Sequence, residues 1–147
     1  MDDTKIVLAD LPGIIEGAHE NKGLGHEFLQ HAERTKVILY VLDGSVADDS
    51  RTPLKDYRVL YNELKLYKNG LLLNKPSVIA LNKCDRKYTN FDQREKVLRK
   101  HVHAPLVSIS AKEGVNLELL LEQVRELVLE ANSRQEEEDA SYFNDKL

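Results

Sequence analysis

Val78-Ile79-Ala80-Leu81-Asn82-Lys83-Cys84-Asp85 is a continuous apolar run that stops on polar residues. Four apolar residues in a row, without alternation, fit a strand covered on both faces, as in a parallel sheet. The same pattern recurs on either side. Val37–Leu42 ends at Asp43, Leu106–Ile109 ends at Ser110, and Lys5–Ala9 ends at Asp10. Amphipathic segments fill the gaps. Thr52 can cap a helix with Pro53 in its first position, and Leu54, Tyr57, Leu60, Tyr61 and Leu64 then form one stripe. Residues 91–101 read as a shorter, polar helix. Asn116 can cap a last helix whose stripe is Leu117, Leu120, Leu121, Val124, Leu127, Val128 and Ala131. This alternation predicts an α/β domain with a mostly parallel sheet.

Every predicted strand ends on a polar residue, and ligands of open α/β sheets bind beyond the carboxyl ends of the strands. Three of these ends carry short motifs. Asp10-Leu11-Pro12-Gly13 has the form DxxG. A carboxylate there can hold a water on Mg²⁺, and Gly13 lets a backbone N–H approach a γ-phosphate. Asn82-Lys83-Cys84-Asp85 has the form NKxD. The Asp85 carboxylate can accept both the N1–H and the exocyclic amino group of guanine, a pair adenine lacks. Asn82 would brace the neighbouring loops, the Lys83 stem would lie over the base, and Cys84 reads as packing. Ser110-Ala111-Lys112 follows 25 residues after Asp85, and its backbone N–H groups can meet guanine O6. In order, each at a strand end, the three read as one guanine-nucleotide site. Each alone is also compatible with a polar turn after a strand.

Composition sets the outer limits. The chain has 147 residues, 41% hydrophobic and 6% aromatic with no Trp, so one domain with an aliphatic core is expected. A single cysteine excludes an intrachain disulfide. There is no apolar run near the roughly 18 residues of a membrane span. Met1-Asp2-Asp3-Thr4 lacks the charge pattern of a signal or transit peptide. The net charge is −4, and residues 132–147 hold five acids against Arg134 and Lys146. No global basic field recommends nucleic-acid binding, and the acidic end reads as a disordered tail. The domain is therefore drawn over 1–131, with the tail at 132–147. His26-Glu27 and His31 superficially suggest HExxH. The second His is at i+5, about 140° around a helix from the first, so the two cannot share a zinc. No Ser or Cys lies in a nucleophile elbow, and no catalytic residue is assigned.

Between the first two strands, Gly13-Ile14-Ile15-Glu16-Gly17-Ala18 and Lys22-Gly23-Leu24-Gly25-His26-Glu27-Phe28-Leu29-Gln30-His31 read as a glycine-rich loop entering a helix near Leu24. This run closely resembles the second switch region of the Obg family of translational GTPases. The resemblance extends from Lys5 to about Ala131 and is densest over residues 9–43. It implies part of a P-loop NTPase-like domain of the Ras type, a three-layer sandwich on a mostly parallel sheet. It also implies GTP or GDP with Mg²⁺ as cofactors, and GTP hydrolysis coupled to ribosome assembly. A ribosomal subunit or its RNA would be the partner. Asp10, through water, and Gly13 would take the Mg²⁺ and γ-phosphate roles. Asn82, Lys83 and Asp85, with Ser110, Ala111 and Lys112, would take guanine recognition.

Two departures qualify this. Ile14 stands where many GTPases carry a water-orienting Gln, a choice Obg proteins share. No Gly in the chain is followed by Lys, so the P-loop pattern GxxxxGK followed by Ser or Thr is not present. In the family the strand before that loop lies between those ending at Asp10 and Asp43. Without it two strands are expected to keep unpaired edges or to close up on each other, the isolated chain to be marginally stable or aggregation-prone, and autonomous hydrolysis to be lost. The alternative is a non-enzymatic binding module, or a gene fragment, that keeps the switch helix and the guanine loops. An intracellular monomer is expected, with the mitochondrion favoured over the cytoplasm.

Overall fold

In the computed structural model, residues 6–10, 24–46, 51–86 and 90–144 are described, leaving aside the side chains of 24–28, 138–140 and 142–144. The order is α1 (Leu24–Glu33), β1 (Ile38–Asp43), α2 (Pro53–Leu66), a 3₁₀ segment (Tyr67–Asn74), β2 (Ser77–Asn82), α3 (Phe91–His101), β3 (Leu106–Ser108) and α4 (Leu117–Asn144). The three strands form a parallel sheet in the order β1-β2-β3. Ile38 pairs with Ser77 and Asp43 with Asn82, so the two polar strand ends lie side by side.

The sheet separates two cores. On one face Tyr40, Leu42, Ile79 and Leu81 pack against Leu29 and Ala32 of α1, Leu64 of α2, and Phe91 and Leu98 of α3. On the other, Val78, Ala80, Val107 and Ile109 pack against Leu120 and Val124 of α4. Helices on both faces of a parallel sheet make the three-layer α/β arrangement that the alternation implied. The central strand carries Val78, Ile79, Ala80 and Leu81 fully buried, the physical reason its run is continuous rather than alternating.

Local chemistry sets the element ends. Thr52 has extended backbone, its hydroxyl accepts the Lys55 N–H at 3.3 Å, and Pro53 opens α2. A left-handed turn at Lys68, Asn69 and Gly70 reverses the chain after α2. Gly44, after β1, has no room for a side chain: a Cβ there would lie 2.2 Å from Phe91 Cε2 and 3.0 Å from the Asn82 carbonyl. α1 begins at Leu24, as the glycine pattern implied.

Four expectations are corrected or refined. Residues 6–10 form no strand: they carry no regular structure, and Val7 and Leu8 are 79% and 64% exposed. A strand exists only by pairing, and no strand among the described residues pairs with this run. Asn116 does not cap α4 with its side chain. It takes a left-handed φ of 57°, and its amide donates to the Ser108 carbonyl at 2.8 Å. Leu121, placed in the α4 stripe, is 50% exposed. Finally, α4 runs on through residues 132–144, which composition reads as a disordered tail. Among the described residues no helix is long and apolar enough to cross a membrane.

Candidate functional site

The carboxyl ends of the three strands converge through Asn82. Its side-chain oxygen accepts the Lys83 N–H at 2.8 Å and the Ala111 N–H at 3.0 Å. One amide thus fastens the turn after β2 to the turn after β3. The Cys84 N–H donates to the Ile109 carbonyl at 3.0 Å, and the Gly44 N–H to the Asn82 carbonyl at 2.9 Å. Three loops far apart in sequence are held together by bonds at the strand ends.

Lys83 has φ 70°, a left-handed conformation that costs a side chain about 1–2 kcal/mol. The bond from its N–H to Asn82 offsets this, and its ammonium pairs with Asp43 at 2.6 Å. Both partners are partly exposed, so the ion pair contributes no more than about 1 kcal/mol. The Ser45 N–H and hydroxyl donate to the other Asp43 oxygen at 2.8 and 2.7 Å. Burial pushes the Asp43 carboxyl up, but the bonds from Lys83 and Ser45 outweigh it and hold the carboxyl below its ordinary value. Asp43 and Ser45 were given no role from the sequence. Their only signal was that Asp43 ends its strand.

Asp85 presents its carboxylate beside the Ser110 turn. Hydrogen bonding from the Ser110 side chain, with Lys112 and Arg86 nearby, lowers its pKa and keeps it ionised. Ser110 itself is fully buried, and its oxygen accepts the Glu113 N–H at 3.1 Å. A Ser110–Val115 bridge, with N–H to carbonyl bonds of 3.2 and 3.0 Å, closes the turn. Cys84 packs against the first core. Burial, then the Asp85 charge, raises its pKa.

The structure therefore brings Asn82, Lys83, Asp85, Ser110, Ala111 and Lys112 into one locality. Ala111's N–H is already bonded to Asn82, a detail spacing did not show. Asp10 is exposed and belongs to no element. Gly13 and Ile14 lie outside the described residues. Among the described residues no group of three or more His, Cys, Asp or Glu could hold a metal. Asp10 has the chemistry of a ligand through water, but the described residues do not fit a complete Mg²⁺ site.

A sequence model of the family described as 50S ribosome-binding GTPase matches residues 1–83. GTPase Obg of Synechococcus sp. (strain JA-3-3Ab) is 42% identical over 120 residues, 81% of this chain and 30% of that protein. GTPase Obg of Picosynechococcus sp. is 41% identical over 143 residues, 94% and 38% of the two. That of Syntrophomonas wolfei is 48% identical over 117 residues, 78% and 26%. The chain thus spans between 26% and 38% of the length of these relatives. Among solved structures, a variant of Aquifex aeolicus Era bound to GDP·AlF4⁻ covers 69% of this chain and 33% of its own, with TM-score 0.44 and 25% identity. With the matched segment running from Met1 through the Lys83 that anchors the site, the chain belongs to the 50S ribosome-binding GTPase family, among its Obg members.

Proposed function

We propose that this chain carries the guanine-recognition half of an Obg-type GTP-binding site. The observation that carries the reading is the Asn82 side chain bonded to both Lys83 and Ala111, which makes one preformed surface from the NKxD and SAK turns. Asp85, kept ionised by Ser110, would accept guanine N1–H and the exocyclic amino group. Lys83, fixed by Asp43, would lay its stem along the base. The Ser110–Lys112 turn would face O6, with Ala111's N–H either released from Asn82 or replaced by its neighbour. Asp10, through water, and Gly13 would serve Mg²⁺ and the γ-phosphate in the full site. The full-length protein would hydrolyse GTP in the service of ribosome assembly, with the ribosome as partner.

Exchanging Asp85→Asn tests the base assignment. An acceptor left facing the wrong base can discriminate by roughly 10⁴-fold. Competition between GDP and its xanthine counterpart should move from strong guanine preference toward xanthine. Unchanged guanine preference would overturn the assignment. The chain contains no GxxxxGK string, which favours a second reading: nucleotide is bound by its base and not turned over. Single-turnover hydrolysis by this chain and by the full-length protein separates the two. The bacterial relatives lend no support to a mitochondrial location.

A further inference from the structure

At the opposite end of the sheet, where β2 and β3 begin, lies a cavity of about 660 Å³. That volume falls within the roughly 300–1,000 Å³ of small-molecule sites. Among the described residues, Arg58, Lys75 and Arg134 line it against a single carboxylate, Glu130, in a chain whose net charge is −4. The cations are not equivalent. Lys75 already donates to the Glu33 carbonyl at 3.0 Å and to that of Thr35. Arg134 meets Glu130 at only 3.8 Å, with both side chains mostly exposed. The Arg58 guanidinium has no hydrogen bond or ion pair with a described residue. His101 and His103 add ring nitrogens from the end of α3 and the loop after it.

The same wall is aromatic. Tyr57 stands edge-on to buried Tyr40, ring centroids 5.2 Å apart, and Tyr61 follows at 5.9 Å. Both Tyr57 and Tyr61 line the cavity, and Tyr61 is 38% exposed. A ring braced by the core beside the Arg58 guanidinium suits a ligand with a flat π-face and a negative charge.

We propose that this cavity binds a nucleotide unit, its base against Tyr61 and Tyr57 and its phosphate at Arg58 and Arg134. The unit could be a free mononucleotide or one nucleotide of single-stranded RNA, since both offer the same chemistry. The site lies at the opposite end of the strands from Asp85 and does not rest on the guanine reading.

The test titrates the 147-residue chain with a fluorescein-labelled single-stranded RNA octamer, followed by anisotropy, and uses AMP as competitor. Fluorescent GDP is titrated in parallel. The octamer should bind more weakly as salt rises. Arg58→Glu, at an exposed helix position, should weaken it about tenfold or more, and Tyr61→Ala should weaken it too. Displacement by AMP at concentrations comparable to the octamer's identifies the free nucleotide as sufficient. Resistance to AMP identifies RNA. An octamer that does not bind, or variants that bind it as the wild type does, overturns the proposal. Loss of GDP binding alone strikes only the guanine reading.

Discussion

Asn82 is the residue on which the turns after β2 and β3 depend. Replacing it by Ala leaves the N–H groups of Lys83 and Ala111 without their partner. Because the site is partly solvated, water takes up some of the loss, and the expected destabilisation is about 1–2 kcal/mol. Urea unfolding of Asn82→Ala measures this, and a midpoint equal to that of the wild type would show that the two turns hold without it. Asp43 gives a pH prediction. Its folded pKa is depressed by Lys83 and Ser45, so its stabilisation is complete above the unfolded carboxylate value of about 3.9 and is lost as pH falls through the folded value. Comparing urea midpoints at pH 7 and pH 3 should show a larger acid loss for the wild type than for Asp43→Asn. Equal losses would remove Asp43 from the linkage.

Among the elements, α4 shows how propagation differs from composition. Its first half is anchored by Leu120 and Val124 on the sheet. The acidic end need not nucleate a helix of its own. It extends one already formed, with Arg, Gln, Glu and Ala among its residues, and adding a residue to a helix is far easier than starting one. The extension is exposed over the described side chains of residues 133–137, so it contributes little to the core. Deleting residues 135–147 should lower the helical circular-dichroism signal while changing stability by no more than about 0.5 kcal/mol. A larger loss would mean that the end of α4 packs on the domain.

For the molecule as a whole, the distribution of exposed apolar residues is decisive. α4 packs over β2 and β3, whereas Val41 of β1 is 58% exposed, and Val7 and Leu8 are exposed as well. An edge strand that shows apolar side chains invites pairing with other chains. We expect the 147-residue chain to leave the monomeric state as concentration rises, with Val41→Lys reducing this, and to melt at low temperature. Sedimentation velocity across a concentration series, with a thermal melt, is the check. A chain that stays monomeric and melts cooperatively at high temperature would contradict both expectations.

Much of this was legible in the linear chain because the interactions behind it are local. Continuous apolar runs mark β1, β2 and β3. Thr52-Pro53 marks the start of α2, and the glycines before Leu24 mark the start of α1. The strings at 82–85 and 110–112 come together in one locality, because strand ends in a parallel sheet converge. The sequence alone could not tell that residues 6–10 would find no partner strand among the described residues, since pairing depends on what lies alongside. Nor could it show that Lys83 turns to Asp43, or that Asn82 takes the Ala111 N–H. Those bonds join residues 29 to 40 positions apart, and only the packed sheet places their atoms within reach.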